Sequence, residues 1–99
     1  MILSKAHERR IQDIIREVHE HRLAESLAPV EEAIRSWRDG NLPIFQIDNA
    51  IHQHTMRAKR YFAVYANTPA RSADAIGILD EAKDLRLITE EEYKQLAGT

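Results

Sequence analysis

Residues 37 to 62 read Trp-Arg-Asp-Gly-Asn-Leu-Pro-Ile-Phe-Gln-Ile-Asp-Asn-Ala-Ile-His-Gln-His-Thr-Met-Arg-Ala-Lys-Arg-Tyr-Phe. Asp39-Gly40-Asn41 predicts the end of one helix, because glycine takes the left-handed backbone that closes a helix C-terminus. Pro43 opens the next helix, its missing N–H costing nothing in a first turn. From there Ile44, Ile47, Ile51, Ala58, Phe62 and Tyr65 recur at helical spacing, with His54 in the same line. Two helices joined by so short a turn pack antiparallel, as a hairpin. Placed at 100° steps, these apolar residues and His54 point inward, while His52, Lys59 and Arg60 point elsewhere.

Upstream, Ile11, Ile14, Ile15 and Val18 form one stripe of a helix starting near Leu3 or Ser4. Leu23, Leu27, Val30, Ile34 and Trp37 form a second stripe, rotated by roughly a third of a turn. The stripes meet near Pro29, which removes a backbone donor and crowds the preceding turn. A kink or a brief break is expected there. Because Leu23 and Leu27 share no stripe with Ile11 and Ile15, this first arm needs partners in two directions. One hairpin partner cannot easily supply both, which predicts a homodimer.

Downstream, Asn67-Thr68-Pro69 ends the second arm, with Thr68 as N-cap and Pro69 as first residue of a third helix. Ala75, Ile78, Leu79, Ala82 and Leu85 give that helix a buried face. Thr89-Glu90-Glu91-Glu92 reads as a capping box for a last short helix through Leu96. No stretch alternates with the period of a strand. The expected fold is all-α: a long helical hairpin, its first arm kinked or broken near Pro29, plus two shorter C-terminal helices, in a single domain over residues 1–99.

Composition excludes several function classes. The chain has no cysteine, which removes disulfides, thiolate catalysis and cysteine-ligated zinc. No apolar run approaches the length of a membrane span, and the first fifteen residues lack the core of a secretion signal, so a bacterial or archaeal cytoplasm is the simplest setting. Net charge is −2, giving no global attraction to nucleic acid or anionic lipid. Residues 52–71 nevertheless carry Arg57, Lys59, Arg60 and Arg71 without an acid, and residues 72–99 are acidic. These two segments are expected to complement each other, within the fold or between subunits; the alternative is a small nucleic-acid-associated protein using the basic cluster.

His7, His19, His21, His52 and His54 raise the question of a metal. Ligands on one helix must stand three or four residues apart, and no two histidines do. The His-x-His steps place their rings on different faces, so no metal or other cofactor is expected. Glu17 with His21 and Asp48 with His52 have the spacing of surface hydrogen bonds. His54, on the apolar stripe, is expected to be a core or interface histidine with one hydrogen bond; the sharper alternative is a pH-sensitive or acid–base group. An enzyme using His52 or His54 with Arg60 would need a pocket beside them. No nucleophile motif, phosphate loop or carboxylate pair accompanies them.

Trp37, Gly40, Phe45, Ile51, His52, Arg60 and Phe62 resemble the pattern of an uncharacterised family of small bacterial all-helical proteins: Trp, two residues, Gly, a Phe-containing helix start, Ile-His, a second His three residues on, and an Arg near an aromatic. Thr55 stands at the second histidine position, His54 at the aromatic one, and Pro43 where an N-cap acid is usual. The resemblance implies a helical fold and brings no activity with it. Ile78 to Tyr93 also resembles SHOCT-like C-terminal segments, which carry glycine where this chain has Arg86. That resemblance implies an oligomerisation or interaction element. The expected function is a non-enzymatic, cytoplasmic interaction module, self-associating or binding another protein. Its expected contact residues are Leu23, Leu27, Trp37 and Phe45, with His52 and Arg60 on the outward face.

Overall fold

Ser4 begins the structure by capping a helix: its hydroxyl accepts the His7 backbone N–H at 3.1 Å. The computed structural model describes residues 4–98; Leu3, the other start considered, lies outside them. Helix α1 spans Lys5–Arg38, α2 Phe45–Tyr65, α3 Ala73–Asp84 and α4 Glu90–Ala97. The chain is all-helical among the described residues, with a long hairpin followed by two shorter helices. None of these helices is long and apolar enough to cross a membrane.

α1 runs unbroken through Pro29, so the helix is not interrupted there. The proline ring removes a hydrogen bond to the Glu25 carbonyl, and both Pro29 and Glu25 are exposed residues. The turn after α1 is a Schellman motif. Gly40 has φ +76°, its N–H donates to Trp37 O at 3.0 Å, and Asn41 N–H donates to Ser36 O at 2.9 Å. α2 starts later than Pro43 suggests, at Phe45, and Ile44 offers no side-chain cap. Pro43 instead contributes its carbonyl, which accepts from Gln46 N–H.

Helix α3 is capped by Ser72, not Thr68: the Ser72 hydroxyl accepts from Ala75 N–H. Thr68 has another use, donating to the Val64 carbonyl at the end of α2. Thr89 caps α4 by accepting from Glu92 N–H at 3.1 Å. The capping box is only half made, because the Glu92 carboxylate turns away to Arg10, at 2.9 and 3.1 Å. That fork holds the Glu92 carboxyl below its usual range.

Ile11, Ile14, Ile15 and Val18 pack against Ala75, Ile78, Leu79 and Ala82, and Tyr65, Ala70, Ile88 and Leu96 complete the core. Each large aliphatic side chain buried here contributes roughly 1.5–3 kcal/mol. Polar ties close the same region. Arg22 Nε donates to Glu81 at 2.7 Å, the Tyr65 hydroxyl donates to the same carboxylate at 2.9 Å, and Arg71 pairs with Glu8. Among the described residues the basic side chains of the stretch 52–71 therefore form no ion pair with the acidic stretch 72–99. The acids Glu81 and Glu92 are met by arginines of α1, and Arg71 by an acid of α1.

All of this packing lies at one end of the hairpin. The Cα radius of gyration is 17.3 Å and the extents are 57 × 23 × 17 Å, against about 13 Å expected for a compact chain of 100 residues. From about residue 23 to residue 62 the arm consists of two helices alone. A two-helix layer has no interior.

The end of α3 repeats the Schellman geometry without glycine. Arg86 has φ 62°; its N–H donates to Lys83 O, and Leu87 N–H donates to Ala82 O at 2.9 Å. A side chain in left-handed backbone costs about 1 kcal/mol relative to glycine, and Arg86 is exposed with no bond to lose. Arg86→Gly is expected to raise the thermal midpoint by roughly 4–8 °C, read by circular dichroism; an unchanged or lower midpoint contradicts this account of the α3–α4 turn.

Candidate functional site

At the middle of the arm, small and polar side chains meet between α1 and α2. Ser26 is the only buried polar residue among those described, at 4% exposure. Arg57 Nε donates to its hydroxyl at 2.7 Å and Arg57 Nη2 to its carbonyl at 3.1 Å. His54 Nδ1 lies 2.9 Å from the same hydroxyl. One arrangement satisfies all three groups: Arg57 donates to Ser26 Oγ, and the Ser26 O–H donates to His54 Nδ1, leaving the ring N–H on Nε2. His54 is thus a half-buried hairpin histidine with one hydrogen bond, and Ser26 is too enclosed for a substrate to reach. His19 stacks on Tyr65 at 5.5 Å between centroids, extending the seam toward the core.

With Ser26 and His54 marking the seam, helical geometry assigns the two faces of the arm. Pro29, Ala33, Ser36, Gln46, Ala50, Gln53 and Arg57 line one open groove, where small apolar side chains stand among polar ones. On the other side, at about 40–100° from the seam by 100° steps, lie Leu23, Leu27, Val30 and Ile34 of α1. Ile44, Ile51, Thr55 and Phe62 of α2 lie at the same angles on the same side. A second groove on this side, nearer the core, is lined by Gln12, Ile15, Arg16, His19, Phe62 and Tyr65. The exposures are large for such residues: Phe62 62%, Ile44 54%, Leu27 47% and Ile51 46%. An apolar row shared by two helices is left outside.

This corrects the inward assignment of α2 in part: Ile47, His54, Ala58 and Tyr65 lie toward the seam as expected. Ile44, Ile51 and Phe62 do not enter the hairpin; Ala50, His54, Arg57, Ala58, Tyr61 and Tyr65 do so more fully. Small and hydrogen-bonding side chains let the helices approach at mid-arm, and Ile44, Ile51 and Phe62 lie to one side of the seam. The seam could have been found from the sequence only by pairing Ser26 with His54 and Arg57 across the turn, and no local pattern announces that pairing.

The expected contact residues separate. Leu23 is half-buried and Leu27 exposed, both on the apolar face. Trp37, 41% exposed, stands at the turn, and Phe45, 79% exposed, lies on the outer edge of α2. His52 and Arg60 are exposed on other outer faces, and His54 points into the seam. These three groups do not converge on one spot. The basic cluster is also divided: Arg57 is held by Ser26 and Arg71 by Glu8, leaving Lys59 and Arg60 exposed. His21 approaches Glu25 at 3.8 Å, not Glu17, which faces Arg10. Among the described residues no three His, Cys, Asp or Glu side chains come together as a metal site.

Removing the Ser26 hydroxyl leaves Arg57 Nε and His54 Nδ1 without a partner, at a cost of about 1–3 kcal/mol. Ser26→Ala is expected to lower the denaturation midpoint accordingly, and the triple replacement Ser26→Ala, His54→Leu, Arg57→Met to recover much of the loss. A neutral Ser26→Ala would mean that this cluster does not hold the arm together. No protein-family model, curated protein or solved structure matches the chain.

Proposed function

We propose that the protein is a non-enzymatic interaction module of the cytoplasm that works by self-association through the apolar face of its arm. One observation carries the reading: Leu27, Ile44, Ile51 and Phe62 are each about half exposed or more and share one side of a two-helix layer. Exposing such a row to water is costly, and a second layer laid on it removes the cost. Four helices in two layers make a bundle, in which such an arm acquires an interior.

Nucleic-acid binding is favoured less, because two of its four basic residues are engaged with α1 side chains. Sedimentation equilibrium tests the reading. The expected mass is twice the 11.4 kDa chain, falling to one chain when Ile51→Glu and Phe62→Glu are combined, with helical circular dichroism retained since both side chains are exposed. A wild-type mass of one chain at near-millimolar concentration contradicts it.

A further inference from the structure

The apolar row is arranged symmetrically along its own length. On α1, Leu23 and Ile34 are centred between Ala28 and Pro29, and Leu27 and Val30 share that centre. On α2, Ile44 and Phe62 are centred on Gln53, and so are Ile51 and Thr55. The charges beside the row repeat the pattern. Glu20 and Arg38 are centred on Pro29, while Asp48 and Lys59 are centred between Gln53 and His54. By 100° steps all four charged residues stand at about 120–140° from the seam, on the rim of the apolar face. They are exposed, and none makes an ion pair among the described residues.

The two centres are also at the same height. Ser26 is bonded to both His54 and Arg57, which sets it level with the midpoint of those two residues. Moving about two and a half residues along α1, to the Ala28–Pro29 boundary, moves the antiparallel α2 back by as much, to Gln53. Both helices thus have their centre of symmetry on one line across the arm. A two-fold axis along that line maps the face onto itself.

We infer that the partner of this face is a second copy of the chain, laid on it antiparallel about that axis. The inference rests on the self-association reading above and adds the arrangement. Leu23 of each chain meets Ile34 of the other, Leu27 meets Val30, and Ile44 meets Phe62. At the rims Glu20 faces Arg38 and Asp48 faces Lys59, two opposite-charge contacts each made twice. The turn of each chain, around Gly40 to Pro43, reaches the level of Arg16 and His19 of the other, over the groove nearer the core. α3 packs on the opposite side of the hairpin and does not obstruct the approach. The overlap is about 30 Å long and two helices, about 20 Å, wide. That buries roughly 1,200 Å² in total, at the lower end of specific interfaces. A parallel pair would instead set Arg38 beside Ile44 of the other chain and Glu31 near Asp48.

Cysteine cross-linking tests the arrangement, because the chain has no cysteine of its own. Leu23→Cys protein is mixed with Ile34→Cys protein, and separately with Ala58→Cys protein, then oxidised and resolved by mass. The expected product is the Leu23→Cys with Ile34→Cys heterodisulfide, with little from the second mixture. A parallel pair reverses the two results, since positions 23 and 34 then lie about 16 Å apart in height; dimers that cross-link only through Ala58→Cys overturn the arrangement and leave self-association standing. Wild-type protein that remains a monomer removes both. A charge exchange reads the rim independently: Lys59→Glu should weaken the dimer severalfold, and adding Asp48→Lys should restore it. Failure of the double variant to recover also overturns the antiparallel pairing.

Discussion

The constraint from which the rest follows is the mismatch between a 34-residue α1 and the two short C-terminal helices available to cover it. α3 and α4 span 12 and 8 residues, and they close only the end of the hairpin where Ile11, Ile14, Ile15 and Val18 face Ala75, Ile78, Leu79 and Ala82. There, apolar packing and the Arg10–Glu92, Arg22–Glu81 and Tyr65–Glu81 bonds act together. Beyond about Leu23 the same helix has only α2 beside it. A single pair of helices cannot enclose side chains on both of its faces, so the arm is held by a narrow seam and leaves its larger apolar groups on one side.

The seam and the face have different chemistry because they do different work. Ser26, His54 and Arg57 form a directional contact, which fixes the height of α2 against α1 in a way that interchangeable leucines would not. Such a contact contributes little net stability but is costly to break. The apolar face has the opposite character, with much surface and little directionality. In the proposed dimer its register is supplied by the charges at its rims and by the spacing of the row. Register within the chain and register between chains then refer to the same line across the arm.

Much of the fold was legible in the sequence, because its signals are local. α1 starts beside Ser4 and Thr89 caps α4 as their positions suggest, Gly40 closes α1, and the buried faces of α1 and α3 follow their apolar spacing. Thr68 misled because two hydroxyls stand four residues apart, and the backbone of α2 claims the first. The inward face of α2 was not legible for a deeper reason. Periodicity shows where apolar side chains point, and it does not say which neighbour they point toward. Ile44, Ile51 and Phe62 lie 60–80° from the seam, by 100° steps, and a stripe read alone cannot distinguish the hairpin partner from a second chain. The long-range pairs of Arg10, Arg22 and Arg71 carried no sequence signal at all, since each joins segments more than fifty residues apart.

The central claim is that the core end stands on its own while the arm is completed by association. Native-state amide hydrogen exchange, followed across a range of protein concentrations, reads both parts at once. Protection at Ile11 to Val18 and Ala75 to Ala82 should change little with concentration. Protection at Leu27 to Ile34 and Ile44 to Met56 should rise steadily as concentration increases. Arm protection that is already high and independent of concentration would contradict the account, because the two helices would then need no second layer.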